Sequence, residues 1–99
     1  MHLTTDIPEA RRAEYDALVD LLCAEAGPDD AEARPLAEWI ARASLQDGHL
    51  WRSMELPERG DLRRIIERHF PALAEANERD MRWKKFFYKR LCGWPGFEG

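Results

Sequence analysis

Three side chains of this sequence are candidate ligands for a transition metal: His49 and His69, which are the two histidines outside the N-terminal tail, and the cysteine Cys92. Imidazole nitrogens and thiolates are the ligands that zinc and related ions favour in proteins. The three residues lie on separate segments, and none of them takes part in a local i, i+4 or C-x-x-C metal motif. Each histidine also has a structural interpretation, because His49 could pack on Trp51 and His69 could end a helix, whose C-terminus favours a positive charge. The residues alone leave both interpretations open.

The thiol of Cys92 raises a second question, which is whether it is reactive. Lys89 and Arg90 shortly precede Cys92 and would stabilise a thiolate, whereas the negative end of a helix would oppose one. These effects are of similar size, so the residues do not decide the matter. The second cysteine, Cys23, lies in an apolar helical pattern, which favours a small buried hydrophobic side chain over a disulfide partner.

A basic, aromatic segment leads up to Cys92. Residues 78–92 carry six lysines and arginines against two acids, although the whole chain has a net charge of −4. Basic residues interleaved with aromatics can bind nucleic acid, but the chain is acidic overall and the aromatics fall at the spacing of a buried helix face. We therefore expect no nucleic-acid binding. A solvated face, or one paired with the acidic residues 1–38, explains the segment better.

The elements that must position these residues are all predicted to be helices. Apolar residues recur at three- and four-residue steps in each periodic segment, and no alternating strand pattern of useful length is present. The sequence therefore predicts an all-α fold, a compact bundle of four to five short helices. The predicted helical segments are about 8–26, 30 or 35 to 46, 49–56, 58–70 and 77–92, with at most a turn or two at 71–77.

The last of these helices is the one that delivers Cys92. Its predicted N-cap is Asn77, with Asp80 three positions later in a variant of the capping box. Trp83, Phe87 and Leu91 fall at i, i+4 and i+8. This spacing predicts one buried stripe along the helix.

Length and composition limit the classes of function. The 99 residues predict a single domain spanning 1–99. No apolar run approaches the length of about 18 residues that marks a membrane span, and the N-terminus lacks the regions of a signal peptide, so we expect a cytoplasmic protein. No phosphate-binding glycine loop, nucleophile elbow or metalloprotease motif is present. We therefore predict no enzymatic activity and assign no catalytic residue.

Several longer strings are more specific than any of these motifs. They are HLW before a Leu-Pro turn, HFPALA with an asparagine shortly after, and above all DMRWKKFFYKRLC. With the preceding LAEWIARASLQDG, they make residues 35–92 resemble the C-terminal portion of the NifQ family. NifQ is a nitrogen-fixation accessory protein. The resemblance implies a role in supplying molybdenum for assembly of the nitrogenase iron–molybdenum cofactor.

The resemblance also implies a metal centre, but the residues after Cys92 lack the cysteines that would hold it. In the family, the matching Leu-Cys leads into a cysteine-rich tail, roughly C-x4-C-x2-C-x5-C, which implies an iron–sulfur cluster that carries molybdenum. Here Cys92 is followed by GWPGFEG, without a cysteine. Because a cubane cluster needs about three or four thiolates, we expect the helical scaffold without that cluster. The remaining candidate ligands are His49, His69 and Cys92, and a tight site would need further ligands from a protein partner or a second copy in a homodimer.

Two functions follow from the resemblance. In the first, the outward lysines Lys84, Lys85 and Lys89 attract an oxyanion such as molybdate, and the protein delivers it to a partner in cofactor assembly. The second is a cluster-free helical interaction module that docks on a metalloenzyme or a cofactor-assembly partner. Trp94 and Phe97 suggest the second function, because aromatics are favoured at binding sites. The alternative is that these two aromatics fold back and cap the core.

Overall fold

The structure is a computed structural model, and it describes residues 7–92. Within that range the chain forms only helices and turns, which confirms the predicted all-α class. Four helices of nine or more residues and two shorter ones follow a 3-10 turn at Glu9–Arg11. None of these helices is long and apolar enough to cross a membrane. In chain order they are α1 (Arg12–Ala24), α2 (Ala33–Ser44), α3 (Leu50–Ser53), α4 (Arg59–His69), α5 (Pro71–Ala76) and α6 (Trp83–Leu91).

The first helix, α1, organises the core. It packs against α2 and also contacts α6 and the 3-10 turn. Leu18, Leu21 and Leu22 of α1 are completely buried, and all six α-helices contribute apolar side chains around them. Full burial of one leucine side chain contributes about 1.5–3 kcal/mol. These three leucines therefore make α1 a main anchor for the other helices.

The connection between α2 and α3 turns at Gly48, whose φ is 93°. This left-handed conformation favours glycine, which has no Cβ. The preceding helix α2 ends at Ser44, two residues before the predicted end at 46. Two side chains hold the connection from outside. Arg11 donates a hydrogen bond from Nη1 to the carbonyl oxygen of Leu45 at 2.7 Å, and the ammonium of Lys84 donates to the carbonyl oxygen of Gln46. The carbonyl of Leu45, the C-cap of α2, lacks an intrahelical donor, so Arg11 satisfies it and opposes the negative end of the helix dipole.

The last helix begins at Trp83, so the predicted start at Asn77 with a capping box to Asp80 is wrong. Asn77 is buried, and its amide instead bonds the backbone of Met81, donating to the carbonyl oxygen at 3.0 Å and accepting from the N–H at 2.8 Å. Asp80 has a φ of 51°, which no α-helix accommodates. The asparagine therefore closes a loop, because both of its hydrogen-bonding groups are used within the five residues that precede α6.

The predicted buried stripe of α6 is confirmed. Phe87 and Leu91 are completely buried, and Trp83 is nearly so. Trp83 packs edge-on against Phe86, with the ring centroids 6.0 Å apart, and it also contacts Phe87 at 6.1 Å. Such aromatic pairs stabilise a core beyond the area that they bury. The opposite face of α6 carries its basic residues, of which Lys85 is exposed.

We expect the Phe87→Ala variant to lose about 3–5 kcal/mol of unfolding free energy, because it leaves a cavity in a completely buried part of the core. Urea denaturation followed by circular dichroism measures the loss. The control is Lys85→Ala on the exposed face of the same helix, which should change stability by less than about 0.5 kcal/mol. A loss below about 1 kcal/mol in Phe87→Ala would contradict the packing of α6.

Candidate functional site

A cleft of about 730 Å³ lies between the α2–α3 connection and α6. Residues 44–51 form one wall, and the first two turns of α6 form the other. Further side chains come from the 3-10 turn, from α1 and from the start of α4. The cleft thus joins parts of the chain that are distant in sequence, and its shape depends on how α6 is fixed to the other helices.

The cleft is positively charged although the chain is acidic. Five lysines and arginines line it against two carboxylates. A concave surface lined by one sign of charge focuses the electrostatic field and attracts ligands of the opposite sign. The chemistry of the lining therefore favours an anion. The five cations are Arg11, Arg59, Arg82, Lys84 and Lys85, and the two acids are Glu14 and Asp47.

One of the two acids, Glu14, is neutralised by a partly buried network. Arg11 donates two hydrogen bonds to the Glu14 carboxylate, from Nε to Oε1 at 3.0 Å and from Nη2 to Oε2 at 2.8 Å. The Tyr88 hydroxyl of α6 donates to the same carboxylate. The hydrogen bond from Arg11 lowers the pKa of Glu14, while burial, followed by the bond to Glu14, raises the pKa of Tyr88. The network therefore keeps a carboxylate in the wall of the cleft without leaving its negative charge unpaired.

The five cations differ in how far they are already engaged. Arg11 and Lys84 bind the α2–α3 connection, and Arg59 donates to the carbonyl oxygen of Met81 at 2.9 Å. Arg82 and Lys85 are exposed, and their side chains make no hydrogen bond or ion pair with the described part of the chain. These two cations are consequently the ones available to a ligand in the cleft.

The three predicted metal ligands occupy different places. His49 is exposed, lines the cleft and stacks on Trp51, with the ring centroids 6.2 Å apart and the planes at 19°. His69 is buried at the end of α4, where its Nδ1 lies 2.7 Å from Oδ2 of Asp30. Cys92 is exposed directly after α6. The packing of His49 on Trp51 is therefore present, and His69 belongs to another part of the molecule.

The three predicted lysines and the two predicted tail residues also lie in different places. Lys84 and Lys85 line the cleft, whereas Lys89 lies in a separate groove beside Arg90. Trp94 and Phe97, the proposed docking residues of the tail, lie outside the described residues 7–92. Two of the three predicted lysines, Lys84 and Lys85, therefore belong to the cleft.

Arg11 and Arg82 are residues of this site that the sequence pattern did not indicate. Arg11 precedes α1 and reaches the cleft only through tertiary packing, so no local pattern could indicate it. Arg82 stands immediately before α6 and was counted only as part of the basic segment. The one sequence feature that could have indicated Arg82 is its position next to Trp83. Trp83 is buried, and a buried residue fixes the direction in which its neighbour's side chain reaches the surface.

A different group of side chains provides the closest set of potential metal ligands. In residues 7–92, donor atoms of Asp30, Glu32 and His69 all lie within 4.8 Å of one another. This group contains one predicted ligand, His69, and two acids that the sequence analysis did not single out. Two ordinary acids in a polar turn carry no distinguishing sequence signal.

The cysteines of the described region do not fit an iron–sulfur cluster. A cubane cluster needs about three or four thiolates, and the free thiols between residues 7 and 92 are those of Cys23 and Cys92. Cys23 is half-buried in α1, where burial raises its thiol pKa and so disfavours the thiolate that a metal requires. We therefore assign no cluster to residues 7–92.

Comparison with known proteins gives consistent matches. A family model described as NifQ matches residues 1–98. The chain is 45% identical over 94 residues to Protein NifQ of Azotobacter vinelandii, which covers 95% of this chain and 48% of that protein. It is 41% identical over 93 residues to Protein NifQ of Rhodobacter capsulatus, covering 93% of this chain and 52% of the relative. The chain thus spans about half the length of these curated relatives. No solved structure matches it significantly.

The Glu14 network predicts a loss of stability in acid. Because the folded-state pKa of Glu14 is lowered, its ionised form contributes stability that is fully present above the unfolded pKa of about 4.3 and is lost as the pH falls through the folded pKa. We expect Glu14→Gln to lose about 1–2 kcal/mol of unfolding free energy at pH 7. The deficit relative to the unchanged protein should shrink towards the acid limit of the folded state.

Urea denaturation across that pH range measures both quantities. The matched control is Glu75→Gln, which removes an exposed carboxylate from α5. A Glu14→Gln deficit that stays constant with pH would contradict the assigned role of the ionised carboxylate.

Proposed function

The chain belongs to the NifQ family, a family of nitrogen-fixation proteins, and on that premise we propose that it handles molybdenum by holding molybdate in the cationic cleft and passing it to a protein partner. The resemblance predicted from residues 35–92 is confirmed, and the match also includes the N-terminal part of the chain. The single observation that carries the proposal is the cleft itself, with five cations against two acids in a chain whose net charge is −4.

The chemistry of molybdate fits this lining. Molybdate is a tetrahedral dianion at neutral pH, and its oxygens only accept hydrogen bonds. Arg82, directly before α6, and Lys85, in its first turn, offer N–H donors and positive charge to the cleft. Charge-assisted hydrogen bonds of this type are shorter and roughly twice as strong as neutral ones. Two exposed cations suffice for reversible binding, which suits a carrier better than a permanent site.

The Glu14 network supports the same function through electrostatics. An unpaired carboxylate in the wall of the cleft would repel a dianion. The bidentate pair with Arg11 and the hydrogen bond from Tyr88 engage both carboxylate oxygens. The electrostatic field in the cleft is consequently set by the remaining cations, and Asp47 is the main negative charge that offsets them.

Delivery to a partner is part of the proposal and rests on the family membership. The hypothesis of a cluster-free interaction module depended on Trp94 and Phe97, which lie outside the described residues. The groove beside α6 that contains Arg79, Lys89 and Arg90 offers a second basic surface for an acidic partner. A protein that holds its cargo in one basic cleft and docks through another basic surface would keep the two contacts apart.

We expect the double variant Arg82→Gln/Lys85→Gln to bind molybdate at least about tenfold more weakly than the unchanged chain, because it removes both unengaged cations of the cleft. Equilibrium dialysis with elemental analysis of molybdenum measures the affinity. Both side chains are exposed, so the variant should fold normally. Binding should also weaken with salt, since exposed charges are screened.

The matched control is Arg79→Gln/Lys89→Gln, which removes the same charge from the groove on the other part of α6. An equal loss in both double variants would show that net charge, and not the cleft, determines binding. Absence of molybdate uptake by the unchanged chain would contradict the proposed cargo. Competition by sulfate then measures how far the cleft distinguishes molybdate from other tetrahedral oxyanions.

A further inference from the structure

A second polar centre lies where α4 ends against the connection between α1 and α2. His69, the last residue of α4, is only 9% exposed. Its carbonyl oxygen accepts a hydrogen bond from the N–H of Gly27 at 3.0 Å, and its ring nitrogen Nδ1 lies 2.7 Å from Oδ2 of Asp30. Backbone and side chain are thus both fixed to the same connection. The imidazole ring is held in one orientation before any ligand binds.

The carboxylate of Asp30 is itself held in place. Its Oδ1 accepts a hydrogen bond from the backbone N–H of Glu32 at 3.0 Å, while Oδ2 faces His69. An ionised carboxylate only accepts hydrogen bonds, so the contact requires the proton on Nδ1 of the ring. In the neutral imidazole, this tautomer places the lone pair on Nε2. A carboxylate behind a histidine is the usual arrangement that orients and strengthens a metal-binding imidazole.

The other ring nitrogen has no hydrogen-bonding partner among the described residues. Nε2 of His69 lies 4.0 Å from Oε1 of Glu32, beyond the range of about 2.7–3.2 Å for a hydrogen bond. A zinc ion has bonds of about 2.0–2.1 Å to nitrogen and about 2.0–2.2 Å to oxygen. An ion bridging the two atoms therefore requires a separation of at most about 4.3 Å, and a tetrahedral angle requires one somewhat shorter. The Glu32 side chain is 77% exposed and can make this small movement.

From this arrangement we propose that Nε2 of His69 and the carboxylate of Glu32 bind a divalent transition-metal cation of the zinc class. Asp30 acts as the positioning residue, and water fills the remaining coordination positions. Imidazole together with carboxylate suits zinc, iron(II), nickel or copper better than calcium or magnesium. None of the three residues lines the cationic cleft, so this site is separate from the oxyanion site. It favours a cation, whereas the cleft favours an anion. With two protein ligands, the ion exchanges with solvent.

Titration of the intact chain with zinc alone tests the proposal, with the imidazole nitrogens followed by two-dimensional NMR. We expect the Nε2 resonance of His69 to shift on zinc addition while Nδ1 keeps the signature of a protonated nitrogen. The Glu32→Gln variant should weaken zinc binding at His69 at least about tenfold. Glu32 is exposed, so this variant should fold as the unchanged chain does. Glu75→Gln is the control for loss of one exposed carboxylate.

The role of Asp30 has its own readout. Asp30→Asn should shift the His69 ring away from the tautomer protonated at Nδ1, visible in its nitrogen chemical shifts without zinc, and should also weaken zinc binding. Zinc that perturbs only His49 or the cysteines would overturn the proposal. An unchanged affinity in Glu32→Gln relative to Glu75→Gln would overturn it as well. Both results are independent of whether the cleft binds molybdate.

Discussion

The contact of Glu14 with Arg11 and Tyr88 fixes the arrangement on which the cleft depends. Glu14 and Tyr88 are 74 positions apart, and their hydrogen bond joins α1 to α6. Arg11 extends the same network to the carbonyl oxygen of Leu45 at the end of α2. Both walls of the cleft are thereby attached to a single carboxylate. The same contact neutralises a negative charge that would otherwise repel an anionic ligand. One interaction therefore determines both the shape of the site and its electrostatic potential.

The unusual composition of α6 follows from its two faces. The aromatic side, with Trp83 and Phe87, fills the core and places the helix. The basic side emerges next to it and contributes Arg82, Lys84 and Lys85 to the cleft. Because buried aromatics fix the helix in rotation, the adjacent cations emerge in defined directions. An acidic chain can therefore present a local positive surface. Membership of the NifQ family gives this surface its proposed cargo, molybdate.

The sequence predicted those features that depend on local pattern. The all-α class and the buried stripe of α6 were predicted from helical periodicity, and the structure confirms them. The start of the last helix was mispredicted because Asn77 bonds the Met81 backbone and closes a loop. A capping box and such a loop begin with the same residue types. The role of Arg11 was missed for a different reason, since its partners are brought to it only by tertiary packing.

The central claim, that the cleft between the α2–α3 connection and α6 holds molybdate, can be tested most directly by diffraction. Crystals of the chain soaked in molybdate would be measured near the molybdenum absorption edge, where the anomalous signal locates the metal without a prior assumption. The proposal predicts a peak inside the cleft within hydrogen-bonding reach of Arg82 and Lys85. A peak found only elsewhere, in the groove of Lys89 and Arg90 or beside Cys92, would contradict it.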